Sequence, residues 1–458
     1  MTHSPQYKKL RDLDFRHLWH PFTQSSVWFE SDPLIVERGE GMELIDCDGN
    51  RYLDGISSLW CLVHGHSHPK LVAALTEQVR TLAHSTLLGL SHRPAIELAE
   101  KLISIAPPGL SRVFYCDSGA SAVEAGLRMA LEWWYHQGDP ASRKRTRIAA
   151  LEGAYHGDTL GSVSVGFAER FHRGVGPAVV RAFQVPPPHH FRFDHGMIET
   201  EATAAALAGV SRLFREHGEE IAVFAIEPRV QGAAGVWIHP PAFLTGVAEL
   251  CRSYGILLLC DEIATGFGKT GTMFAVEQSG GIAPDIMTIG KGLTGGYMPM
   301  AAVLTTERIF SAFSGPIDRY NTFYFGQTFS GNPLGAALAL ASLELFEETE
   351  LLRGMPEKNR RYRESLDRLI TPLPHVDEVR CCGLMTGIEL TKNPGTRTPF
   401  DTNDRAGLRI VAAARSRGLI IRPLGNVVVL MPAVAMPIEM LERLVQLTAE
   451  SISAALGD

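Results

Sequence analysis

No run of apolar residues in this chain reaches the length of a bilayer. The longest, 427–438, is broken by Pro432 and Pro437 and falls well short of the roughly 20 residues that a spanning helix needs. Cysteine is sparse. There are seven in 458 residues, an odd number, and no two have C-x-x-C spacing, which argues against a disulfide framework and against a zinc site. A reducing, cytoplasmic setting is expected from that usage. Neither sign of charge dominates: 43 Lys and Arg against 50 Asp and Glu leave a net charge of −7, so neither nucleic acid nor an anionic membrane is expected as a partner. Residues 1–19 lack the apolar core of a secretory signal, and none is expected. No internal repeat, low-complexity tract or long linker is visible.

What is present is a large core. The apolar fraction is 45% and the charged fraction 20%, as in a globular protein of two or three domains. The first 65 residues read as irregular, with a strand-like piece at 42–46 and a turn at Asp48-Gly49-Asn50. From Pro69 onward helix and strand patterns alternate. Helical spacing covers 71–82, 95–105, 118–134 and 243–254, and Pro107-Pro108 stops the second of these. Apolar strands are expected at 112–116, 147–151, 222–226, 256–260, 285–289 and 301–304. Such alternation predicts an α/β fold with a mainly parallel sheet covered on both faces. After Asn332-Pro333 the pattern changes. A long helix at 334–348 leads to strands at 387–390, 419–422 and 427–431 and a last helix at 437–456. The expected division is an N-terminal segment, 1–68, a large domain, 69–333, and a smaller α/β domain, 334–458.

Two strand ends stand out. The apolar run 256–260 ends in Asp261-Glu262, and 285–289 leads through Gly290 to Lys291. Open α/β sheets bind ligands at such ends. A lysine and a carboxylate so placed can serve pyridoxal phosphate, the lysine as Schiff base and the carboxylate on the ring nitrogen; solvated loop charges are the plainer alternative. Asp117-Ser118-Gly119-Ala120-Ser121 joins a strand to a helix, so it is either a phosphate cradle or an ordinary N-cap. In Ala154-Tyr155-His156-Gly157-Asp158 the tyrosine can stack on a flat ring, or the turn is merely buried and hydrogen-bonded.

Gly266-Phe267-Gly268-Lys269-Thr270-Gly271 matches G-x-G-x-x-G. However, Asp261-Glu262 separates it from the strand, and 272–280 contains no convincing helix. Ile263 also occupies the position where a P-loop needs its first glycine, so a glycine-rich loop is expected rather than a nucleotide site. The turn at 326–333, Gly326-Gln327-Thr328-Phe329-Ser330-Gly331-Asn332-Pro333, either binds an anion or is turn chemistry alone. Arg422, between Ile421 and Pro423, suits a carboxylate through its planar fork, or is solvated.

Taken in order, Asp117-Ser118-Gly119, Tyr155-His156-Gly157, the run 261–268, Lys291-Gly292 and Arg422 resemble the class III PLP-dependent aminotransferases along nearly the whole chain. The segments 17–23, 54–58 and 421–425 look like the branch that serves biotin synthesis. The resemblance implies fold type I, with a large domain, a small C-terminal domain and a homodimer whose sites lie at the interface. It implies pyridoxal 5'-phosphate on Lys291, Asp261 on the ring nitrogen, and Tyr155 over the ring. It implies phosphate contacts from Gly119 and Ala120, joined by Gln327 and Thr328 from the other subunit. Substrate residues would be Phe22, Leu59, Trp60, Tyr155, Gly326 and Arg422, the last clamping the keto acid's carboxylate.

The implied reaction is ping-pong amination of 8-amino-7-oxononanoate, with S-adenosylmethionine, or lysine, as amino donor. Many members of that branch carry serine at Ala120, tyrosine at Phe22, tryptophan at Leu59, arginine at Lys269 and histidine at Phe325. Two other readings stay open here. One is a sister aminotransferase of ω-amino acids or amines, against which the segments 17–23 and 421–425 argue. The other is a non-catalytic PLP-binding regulator, for which no basic DNA-binding segment is visible.

Overall fold

Runs in which every residue is apolar make strands buried on both faces, and two of them form the middle of the largest sheet. The computed structural model describes residues 3–189 and 197–457. Its large sheet has strands β1 (Leu110–Cys116), β2 (Arg147–Leu151), β3 (Phe183–Val185), β4 (Ile221–Ile226), β5 (Leu257–Asp261), β6 (Ile286–Ile289) and β7 (Ala301–Thr306). Their spatial order is β1-β7-β6-β5-β4-β2-β3. The five from β3 to β6 run parallel, while β7 is antiparallel to both its neighbours.

Side chains alternate across this sheet, as the strand period of two requires. Leu257 and Leu259 join Ala122, Ala125 and Met129 of helix Gly119–His136 in one core, and Leu258 and Cys260 join Phe243 and Val247 of helix Pro241–Tyr254 in another. The sheet is thus covered on both faces, as the alternating pattern predicts. The strand β3 was not expected: three residues carry too little periodicity to register.

The C-terminal chain builds an antiparallel sheet from Val376–Cys382, Met385–Leu390, Val427–Leu430 and Arg422–Leu424, in that spatial order. Helices Met355–Leu369 and Ala406–Arg415 pack on it, and Ile438–Leu456 packs on both. The expected strand 419–422 is divided. Leu419–Ile420 pairs in parallel with Arg51–Asp54, whereas Arg422 pairs with Val429. The chain therefore changes sheets at Ile421, and residues 36–54 are tied to the C-terminal part.

The N-terminus is not wholly irregular, contrary to expectation. Pro5–His17 is a helix with Pro at its start and a Ser4 cap that accepts the Tyr7 N–H. Only Tyr7 of this helix is buried, so its apolar stripe was too narrow to read. Among the described residues no helix is long and apolar enough to cross a membrane.

Candidate active site

The ends of β5 and β6 meet one cavity of about 450 Å3. Asp261 is the last residue of β5 and is buried. Its carboxylate is held from three directions. The Ile263 N–H donates to Oδ1 at 3.0 Å, the Thr288 hydroxyl on β6 donates to the same oxygen at 3.2 Å, and His156 Nδ1 lies 2.7 Å from Oδ2. His156 is buried as well, and its Nε2 has no hydrogen-bond partner among the described residues. Burial opposes a charge on this imidazole. The hydrogen bond and charge of Asp261, helped by Glu227, outweigh that and hold its pKa above the ordinary value.

Glu227 directly follows β4 and is buried. It accepts the N–H of Tyr155 at 3.2 Å and of Gly232 at 3.1 Å. Burial pushes its pKa up to about 7, an effect that His156 opposes and Asp261 adds to. Lys291 opens the turn Lys291–Thr294 with a φ of 32°, close to the left-handed region that a side chain enters at a cost. Burial lowers its pKa, against the pull of Asp261 and Glu227. Its Nζ lies 5.7 Å from the centre of the Trp60 ring.

Helix Gly119–His136 begins at the same cavity. Ser118 caps it and accepts the Ser121 N–H at 3.3 Å. The N–H groups of Gly119 and Ala120 belong to the first turn and have no carbonyl of the helix to bind, so they suit an anion. Neither Gly157 nor Gly119 has room for a side chain. A Cβ on Gly157 would fall 2.5 Å from Cβ of Ala120, at a φ of +123°, and one on Gly119 would fall 2.9 Å from Ile263.

Of the residues singled out from sequence, Lys291, Asp261, Tyr155, Gly119, Ala120 and Trp60 line this cavity. Gly326, Gln327, Thr328, Phe22, Leu59 and Arg422 are not among its walls within the protomer. Gln327 reaches towards it, accepting the Asp117 N–H at 3.4 Å. Phe22 and Leu59 are exposed. From sequence His156 shows only as part of a turn, and Glu227 does not stand out. The signal for Glu227 was the one used for Asp261, an acid directly after an apolar strand.

The aminotransferase class-III family matches residues 25–452. The chain belongs to the class-III aminotransferases. This aminotransferase is 46% identical over 457 residues to the adenosylmethionine-8-amino-7-oxononanoate aminotransferase of Geobacter sulfurreducens, covering 99% of this chain and 100% of the relative. The protein of the same name from Aquifex aeolicus is 44% identical over 425 residues, 93% of this chain and 92% of the relative. Among solved structures, adenosylmethionine-8-amino-7-oxononanoate aminotransferase from Methanocaldococcus jannaschii superposes with a TM-score of 0.92 at 37% identity, covering 98% of this chain and 99% of the other. An (S)-enantioselective omega-transaminase from Thermomicrobium roseum gives 0.93 at 32% identity, with 100% of each chain covered.

Proposed function

We propose that this aminotransferase carries an amino group onto the ketone of 8-amino-7-oxononanoate, giving 7,8-diaminononanoate for biotin synthesis, with pyridoxal 5'-phosphate as cofactor and S-adenosylmethionine as donor. One observation carries the cofactor part of this reading, that Lys291, Asp261, Gly119 and Ala120 line the same cavity; the substrate is supported by the names of the relatives. When bound, pyridoxal phosphate supplies an aldehyde that captures amines and a cationic ring that draws electrons from the carbon beside the captured nitrogen.

The walls fit that group. Lys291 would hold the aldehyde carbon. Asp261 would face the ring nitrogen, and its three-sided hold keeps it oriented. Gly119 and Ala120 would take the phosphate, in a cradle that a Cβ at Gly157 would fill. Tyr155 would pack over the ring, its hydroxyl fixed by donation to Asp158 at 2.7 Å.

Catalysis then needs a base that can be displaced and return. Burial makes the Lys291 amine less basic than a free lysine, which favours the neutral form that can accept a proton. Nζ takes the proton from the donor's amine-bearing carbon and later returns one to the acceptor carbon. Trp60, Leu59 and Phe22 would border the substrate path, and Arg422 would clamp the keto acid's carboxylate. Gly326, Gln327 and Thr328 would serve the cavity of a partner subunit in a homodimer.

The test mixes the cofactor-loaded protein separately with S-adenosylmethionine and with lysine, and follows the visible spectrum. The donor should bleach the cofactor band and then support diamine formation from 8-amino-7-oxononanoate. Lysine acting alone would overturn the choice of donor; no diamine with either would overturn the substrate.

A further inference from the structure

The glycine-rich loop at 266–271 has no role in the reading above, yet its lysine is among the most deeply buried side chains of the protein. Lys269 is 1% exposed. Its ammonium donates to three neutral oxygens: Ser57 Oγ at 2.8 Å, the Leu62 carbonyl at 3.1 Å and the Pro432 carbonyl at 3.0 Å. Burying a cation is costly, and burial lowers the Lys269 pKa to about 7; in the protonated form each of the three hydrogens has an acceptor. Its own carbonyl accepts the Leu384 N–H at 2.9 Å. One residue thus ties the loop after β5 to the N-terminal segment and to the C-terminal chain.

Two of the three acceptors bracket residues 57–62, and that stretch is strained. Ser57, Ser58 and Trp60 have φ of 46°, 61° and 66°. Non-glycine residues enter this region at a cost and stay only where their surroundings force them. The Ser57 hydroxyl also donates to the Met431 carbonyl at 2.8 Å, so both ends of the stretch are pinned. Its product is the placement of Trp60. That side chain is 7% exposed and lines the cavity, and its indole N–H has no partner among the described residues. Lys291 Nζ lies over its ring.

We infer that Lys269 is a positioning residue for substrate binding: its three-way ammonium clamp holds residues 57–62 in their strained form and so keeps Trp60 in the cavity wall. Lys269 is not itself among the cavity's walls; its contacts reach the cavity through residues 57–62, and its charge is also felt at Lys291. The inference rests on the reading that this cavity takes the substrates.

The experiment measures kcat and KM for 8-amino-7-oxononanoate in the cofactor-loaded protein and in Lys269→Met, Lys269→Arg, Trp60→Ala and the double variant Lys269→Met/Trp60→Ala. Methionine keeps much of the volume and loses every donor. Its KM should rise about tenfold, the scale of a lost charged hydrogen bond, with a smaller change in kcat and the visible cofactor band intact. Arginine should restore most of it. Lys269→Met should add little in the Trp60→Ala background, because coupled residues are not additive. An unchanged KM in Lys269→Met beside a raised KM in Trp60→Ala would overturn the inference and leave the substrate reading standing. An unchanged KM in Trp60→Ala would overturn the cavity reading itself, and this inference with it. If Lys269→Met does not fold, Ser57→Ala carries the test: it removes one acceptor, and a KM equal to that of the parent would refute the clamp.

Discussion

Replacing Asp261 with asparagine isolates the buried pair beside Lys291. Asparagine keeps the shape and can still accept from Ile263 and Thr288 through one oxygen. Towards His156, however, it presents either a weaker acceptor or an N–H group in place of an anion. In the parent protein the His156 pKa stands above its ordinary 6.5. Its protonation therefore adds stability that is complete below about pH 6.5 and fades as pH rises through the folded value. Without Asp261 the desolvation of this buried imidazole dominates and its pKa falls below the ordinary value. The variant then loses stability as pH falls.

The gap between the two proteins should accordingly widen towards acid. Breaking a buried pair costs about 3–5 kcal/mol, and the imidazole can relieve part of that by losing its proton. We expect about 3 kcal/mol at pH 6 and clearly less at pH 8.5. Because Asp261 and His156 both act on the Glu227 titration, the two proteins are compared in a Glu227→Gln background, where the difference reports the pair. Urea unfolding of the cofactor-free proteins, followed by tryptophan fluorescence at one protein concentration, gives both values. Equal midpoints at pH 6, or a gap that grows with pH, would refute the reasoning.

Three further outcomes are expected. Lys291→Ala should lose both the visible band of bound cofactor and turnover, read by absorbance and by diamine formation. Gly157→Ala should weaken cofactor binding at least about tenfold, because its Cβ meets Ala120 at 2.5 Å where the phosphate cradle is tightest; titration of the cofactor-free protein measures this. Glu227→Gln concerns pH. The carboxyl's folded pKa of about 7 lies above its ordinary 4.5, so stability is lost as pH rises from about 4.5 to 7 and stays lost above that. The amide should remove that loss, amounting to about 3 kcal/mol at pH 8, and unfolding curves at pH 4.5 and pH 8 check it.

The sequence was most legible where chemistry and strand burial coincide. Asp261 and Lys291 could be read because each closes an apolar run whose length marks a buried strand. Glu227 ends β4 in the same way and escaped notice, since nothing local says that β4 and β5 are neighbours. That adjacency is what brings Glu227 near His156 and Asp261. The role of His156 was hidden for a related reason. Its partner lies 105 residues away in the chain, and one turn alone does not disclose which nitrogen it will offer. Helix Pro5–His17 was too polar to show. Phe22 and Leu59 could be named by resemblance alone, because no local property distinguishes them from other surface residues, and Arg422 showed locally only as one more strand-end arginine.

The position of β7 bears on how the chain is made. Cys116, at the end of β1, pairs with Ala301, so β1 leaves the ribosome long before its neighbour exists. At roughly 5–20 residues per second, about ten to forty seconds separate the two. Residues 51–54 wait longer, for Leu419 and Ile420. During synthesis two strand edges therefore stand open together until residues 301–306 and 419–420 arrive to pair with them.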